Sequence, residues 1–114
     1  MKLNEAKKII KNKILGITCH NSKKLIKKAI GLKPTYIAIG AFFRSKTKKT
    51  KYRADINLLK YVKKLTKIPV VTIGGINNKN YKKLLLNNAN FLAISGYIWN
   101  NKNYKPQEAI ERFK

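Results

Sequence analysis

Four short apolar runs, none alternating with polar residues, limit what this chain can fold into. They are Ile14-Leu15-Gly16-Ile17-Thr18, Tyr36-Ile37-Ala38-Ile39, Pro69-Val70-Val71-Thr72-Ile73 and Phe91-Leu92-Ala93-Ile94. Runs this short and this rich in β-branched residues predict strands. Their continuous hydrophobicity predicts burial on both faces of a parallel sheet. Between them lie stretches with apolar residues at helical spacing. Leu25, Ile26, Ala29 and Ile30 form one face, with Gly31 as the expected C-cap. Leu58, Leu59, Val62 and Leu65 follow Asp55, which stands where an N-cap is needed, and Leu84, Leu85 and Leu86 precede Asn87-Asn88. Leu3, Ala6, Ile9 and Ile10 predict a leading helix, and Lys105-Pro106-Gln107-Glu108 opens a last one. The order is one helix, then four β/α units, which is α/β architecture.

Four units are half of what a closed barrel of this type requires, since such barrels have eight strands and about 250 residues. The chain has 114 residues. The expected fold is therefore half of a TIM-type (β/α)8 barrel, as a single domain over residues 1–114. Alone, such a sheet exposes apolar strand faces and edges that another half would cover. Self-association, or pairing with a complementary half-barrel chain, is the expected consequence.

Charge raises a competing reading, because 27 Lys and Arg against 4 Asp and Glu leave a formal net charge of +23. A non-enzymatic basic module that binds polyanions would carry such an excess. Three features argue against a nucleic-acid partner. Only Arg44, Arg53 and Arg112 are arginines, the side chain best suited to bidentate phosphate and guanine contacts. The lysines are spread along the chain instead of forming a stripe interleaved with aromatics. Heavy use of Asn and Ile beside Lys fits an AT-rich coding bias. Cys19 is the only cysteine, so no internal disulfide is possible. No apolar stretch approaches the ~20 residues that span a bilayer, and no signal-peptide pattern opens the chain. The expected address is the cytoplasm, with no membrane partner.

The chemistry-bearing residues stand where the runs end, which is where β/α enzymes build their sites. The first run leads to Thr18-Cys19-His20, and the second to Gly40 and then Ser45-Lys46-Thr47-Lys48. The third leads to Gly74-Gly75, and the fourth to Ser95-Gly96. Glycine lets a backbone amide approach a phosphate oxygen, and a helix N-terminus directly after it would add donors. Hydroxyls, glycine amides and lysines on successive βα loops predict a phosphate cradle. Asp55 is expected to cap a helix, and Glu5, Glu108 and Glu111 to lie on solvated helix faces. Trp99 and Tyr97 are expected to pack. One His and one Cys make no metal cluster, and neither a Walker loop nor a dinucleotide fingerprint is present.

These motifs resemble those of thiamine-phosphate synthases, in the family's order and with nearly its spacing. Gly16-Ile17-Thr18-Cys19-His20 resembles the family's G-x-S-x-H segment, and Gly40 to Lys48 its G-P-[VI]-[FY]-x-T-x-T-K loop. Pro69 to Ile76 is similar to P-[VI]-V-A-I-G-G-I, and Ala93 to Ile98 to A-V-[VI]-S-[AG]-I with its hydroxyl displaced by one position. Only the second half of the family's barrel is matched. The resemblance implies a transferase of thiamine biosynthesis that joins a pyrimidine diphosphate to a thiazole phosphate and releases pyrophosphate. It implies that Ser45, Lys46, Thr47, Gly75, Ser95 and Gly96 hold the thiazole phosphate. Thr18 and Lys48 would contact the pyrimidine diphosphate and carry catalysis. It also implies Mg²⁺, but the Q-x-R-x-K segment and paired aspartates of the family have no counterpart here, so this chain is expected to be truncated and to hold no metal itself. A related thiazole tautomerase resembles the chain at His20, which would then serve as acid or base in an isomerase.

Overall fold

A computed structural model describes residues 14–43 and 54–113. The leading helix expected around residues 3–10 lies outside them. The described chain runs β1 (Gly16–His20), α1 (Lys23–Gly31), β2 (Tyr36–Ile39), α2 (Ile56–Leu65), β3 (Val70–Ile73), α3 (Tyr81–Leu86), β4 (Phe91–Ala93), α4 (Gly96–Trp99) and α5 (Pro106–Glu111). The four strands form one sheet in the order β1-β2-β3-β4, with every neighbouring pair parallel.

The helices begin where local chemistry starts them. Ser22 Oγ accepts the Leu25 N–H at 3.2 Å ahead of α1, and Asp55 Oδ1 accepts the Leu58 N–H at 2.8 Å ahead of α2. Pro106 opens α5, where its missing N–H costs nothing. Gly31 does not act as the C-cap expected of it. It is the last residue of α1, and Leu32 caps the helix while packing against the core. That packing holds the chain in a helical course one residue longer, and the left-handed residue is Lys33 at φ 50°. The first strand is also displaced from the expected run. Its pairing starts at Gly16 opposite Tyr36, leaving Ile14 76% exposed, and continues through His20. α4 was not foreseen, because its single turn is too short to show a period.

Register separates the sheet's faces. Paired residues of neighbouring parallel strands point the same way, so Ile17, Ile37 and Val70 share one face with Ile39, Thr72 and Leu92. That face carries the core, together with Ile26 and Ala29 of α1, Leu58, Leu59 and Val62 of α2, and Leu84 of α3. Thr72 is its buried polar residue, and its hydroxyl donates to the Phe91 carbonyl at 3.5 Å. Thr18, Ala38, Val71 and Phe91 share the opposite face with Ile73 and Ala93. Thr18, Phe91 and Ala93 are exposed there, Val71 and Ile73 are half-buried, and Ala38 is buried. The expectation of burial on both faces is thus met in full on one only. The apolar residues on the other match those a barrel would turn inward.

Candidate functional site

β3 and β4 end side by side, with Gly74-Gly75 after the first and Ser95-Gly96 after the second. The paired register ends at Ile73 opposite Ala93, and Gly75 and Ser95 each follow two residues later. Neighbouring strands lie about 4.8 Å apart, so the two turns leave the sheet from adjacent strand ends. None of the backbone hydrogen bonds among the described residues uses the N–H of Gly75, Ser95 or Gly96. These amides are free to donate. The helices that follow are short: α3 has six residues and α4 four, so neither adds the dipole expected of a helix N-terminus. Any anion at this rim would be held by individual N–H groups.

The Gly74-Gly75 pair is required by packing as well. Both residues have positive φ, 99° and 64°. A Cβ on Gly75 would meet the Phe43 carbonyl oxygen at 2.6 Å, and one on Gly74 would collide with the Ala41 Cβ. Residues 40–43 therefore lie backbone to backbone against residues 73–75. Phe42 N–H donates to the Ile73 carbonyl and Phe43 N–H to the Gly74 carbonyl, each at 3.1 Å. The Ala54 N–H, at 2.8 Å from the Ala41 carbonyl, closes the base of the loop on this same rim. Ser45, Lys46, Thr47 and Lys48 lie outside the described residues, but Phe43 and Ala54, which flank their segment, are both placed at the strand ends.

The β1 candidates sit apart from this pair. Thr18 is exposed on the open face, in register with Ala38, two residues before the strand ends. His20 ends β1 in the left-handed region (φ 52°), exposed, with its carbonyl accepting the Gly40 N–H at 3.1 Å. Cys19, between them, faces the helices and is fully buried. Burial pushes its thiol up to about 11, so it is no nucleophile near neutral pH.

Among the described residues no group of three or more His, Cys, Asp or Glu side chains could hold a metal ion. Asp55, with its carboxylate committed to the Leu58 N–H, caps α2 as expected. The described residues thus do not fit a Mg²⁺ site. Two open depressions, of about 260 and 360 Å³, lie away from the free amides. The first adjoins Asn21, Lys23 and Asp55, and the second Trp99, Tyr104 and Lys105. Tyr97 packs edge-on against Phe113 at 5.3 Å, as expected of it, whereas Trp99 is 72% exposed and does not pack.

Sequence reasoning missed the Asn77–Asn80 pair. Asn80 Nδ2 donates to the Gly75 carbonyl at 3.0 Å, and its Oδ1 accepts the Asn77 N–H at 2.8 Å. The signal, two asparagines three apart just after Gly-Gly-Ile, reads as an ordinary polar loop.

A family model described as thiamine monophosphate synthase matches residues 1–98. The thiamine-phosphate synthase of Pelagibacter ubique is 63% identical over 114 residues, covering 100% of this chain and 55% of that protein. That of Rhodospirillum centenum is 37% identical over 98 residues, covering 85% and 47%. The chain thus spans about half the length of these curated relatives. Among solved structures, thiamine phosphate pyrophosphorylase from Pyrococcus furiosus superposes with a TM-score of 0.84 at 26% identity, over 99% of this chain and 52% of that one. A structure described as native KDPGal has a TM-score of 0.62 at 14% identity, covering 89% of this chain and 46% of that one, a likeness of fold alone. The four parallel β/α units are half of a TIM-type barrel.

Proposed function

Because this chain belongs to the thiamine monophosphate synthase family, we propose that it is the thiazole-phosphate half of a transferase that joins a pyrimidine diphosphate to a thiazole phosphate. In that reaction the bond from the pyrimidine methylene to the diphosphate breaks, pyrophosphate leaves with the electron pair, and the thiazole nitrogen forms the new C–N bond to the pyrimidine cation. The observation that supports this reading is that Gly75 and the Ser95-Gly96 pair follow the ends of adjacent parallel strands with N–H groups that make no backbone hydrogen bond among the described residues. Donors already aimed at an anion need no reorganisation when it binds. Ser45, Lys46 and Thr47 belong to the loop whose flanks reach the same rim, and they complete the hold on the thiazole phosphate. Thr18, on the open face, and Lys48 contact the pyrimidine diphosphate, where the Lys48 ammonium offsets charge on the departing pyrophosphate.

The other half of the site belongs to four further β/α units that cover the open sheet face. A complementary half-barrel fits that face in shape, and it would carry the carboxylates for Mg²⁺, which supplies charge neutralisation at the diphosphate. Pairing between two copies of this chain is a poorer match, since each brings a formal +23. No helix among the described residues is long and apolar enough to cross a membrane, and a cytoplasmic biosynthetic role accords with that.

Calorimetric titration with the thiazole phosphate, and separately with the pyrimidine diphosphate plus Mg²⁺, tests the reading. Binding of the thiazole phosphate alone is the expected result for a half-site. Binding of neither ligand would remove the proposed site.

A further inference from the structure

We propose that Asn80 is a positioning residue for phosphate recognition: its carboxamide holds the Gly75 carbonyl, and so pins the second glycine, whose N–H is a donor of the proposed site, together with the plane that carries the Ile76 N–H. The inference rests on the phosphate-site reading above and deepens it, since Asn80 belongs to none of the residues assigned to the ligand.

Two glycines in succession, both at positive φ, have little intrinsic preference for one conformation. Amides that must meet an anion need something outside the glycines to hold them. Here each glycine carbonyl is held separately. In a trans peptide the C=O and the next N–H point in opposite directions. The Gly74 carbonyl accepts from Phe43 N–H, on the β2 side. The Gly75 N–H, on the far end of that plane, is thereby turned away from β2 and toward β4, where Ser95 and Gly96 lie. The Gly75 carbonyl is held by Asn80 Nδ2 at 3.0 Å, which turns the Ile76 N–H away from Asn80.

The carboxamide has no freedom to flip. Its Oδ1 accepts the Asn77 N–H at 2.8 Å, which only an oxygen can do, and its other end meets a carbonyl, which only the NH₂ can do. Asn77 returns the interaction, its Oδ1 accepting the N–H of Lys79 at 2.8 Å and of Asn80 at 3.1 Å. Asn80 also stands at the N-cap of α3, a position at which asparagine ordinarily caps the helix, yet it makes no capping bond. Its side chain is committed to the glycine turn instead of to its own helix.

The test is titration of the whole chain with inorganic phosphate and with thiazole phosphate, following the Gly75 and Ile76 amide resonances, for wild type and Asn80→Ser. Serine is a strong N-cap, so the variant should keep its helix, but its hydroxyl is too short to reach the Gly75 carbonyl. The expected result is roughly tenfold weaker phosphate binding, the cost of misdirecting one charge-assisted hydrogen bond. The Gly75 and Ile76 resonances should also respond less, while affinity for the unphosphorylated thiazole alcohol stays unchanged. Wild-type affinity and amide shifts in Asn80→Ser would overturn the inference and leave the phosphate site standing. Absence of any phosphate response in the wild type would overturn both. If Asn80→Ser unfolds, Asn80→Asp keeps the bond to Asn77 and lacks the donor to Gly75. Phosphate binding by that variant at wild-type strength would equally refute the role, since its added charge can only weaken an anion site.

Discussion

The two faces of the sheet are made from similar residues and behave differently. Ile17, Ile37, Ile39 and Val70 are buried beneath the helices, whereas Phe91, on the other face, is 60% exposed and Val71 and Ile73 are half-buried. Hydrophobicity therefore does not distinguish them, and only the covered face has a partner among the described residues. The covered face holds this chain together, and the open face carries the apolar residues that a closed barrel would turn inward. At the rim where both faces end, the core needs no free amides, yet they are present.

The sharpest way to break this contrast is to damage the covered face. Ile37→Ala should destabilise the chain by about 2–5 kcal/mol, read by urea denaturation, because Ile37 is fully buried at the centre of the core. A loss below about 1 kcal/mol would mean that this face is not the core. Alkaline pH probes the same face more gently. The Cys19 thiol is raised from 9.0 to about 11 by burial, so the stability it confers is present below pH 9 and is lost as pH rises from there through about 11. The difference in stability between wild type and Cys19→Ala should shift across that window, and a thiol reagent at pH 8 should label only unfolded chains. Asp55→Ala removes the cap of a helix that covers the sheet and should cost about 1 kcal/mol by thermal denaturation. The smallest effect on stability belongs to the open face. Phe91→Ser should change it by within about 0.5 kcal/mol, read by urea denaturation. If Phe91→Ser destabilises the chain as much as Ile37→Ala, the open face has an internal partner and the contrast fails.

The α/β order, the four strands and the Asp55-initiated helix were legible because each rests on local chemistry: apolar runs, periodic spacing and a capping side chain, whereas the Ser22 cap was seen only in the structure. That Gly75 and Ser95-Gly96 follow neighbouring strands was inferred from strand order, and β3 does pair with β4 in parallel. Single-turn α4, the displaced start of β1 and the cap at Leu32 were not legible. Each depends on what packs against the segment. The segment Ser45 to Lys48 lies outside the described residues, so its part in the site rests on the resemblance and on its flanks.

What the amino-acid sequence determined by itself is the family, the architecture and the incomplete strand count, since hydrophobic pattern and motif order are properties of a linear chain. Tertiary structure alone decided which face of each strand is covered, and that Gly74 and Gly75 must lack side chains to admit residues 41–43. It also joined Asn80 to the carbonyl of a residue five positions earlier. Those outcomes depend on which backbones lie within hydrogen-bonding distance of one another, and no spacing of residue types along a chain specifies that.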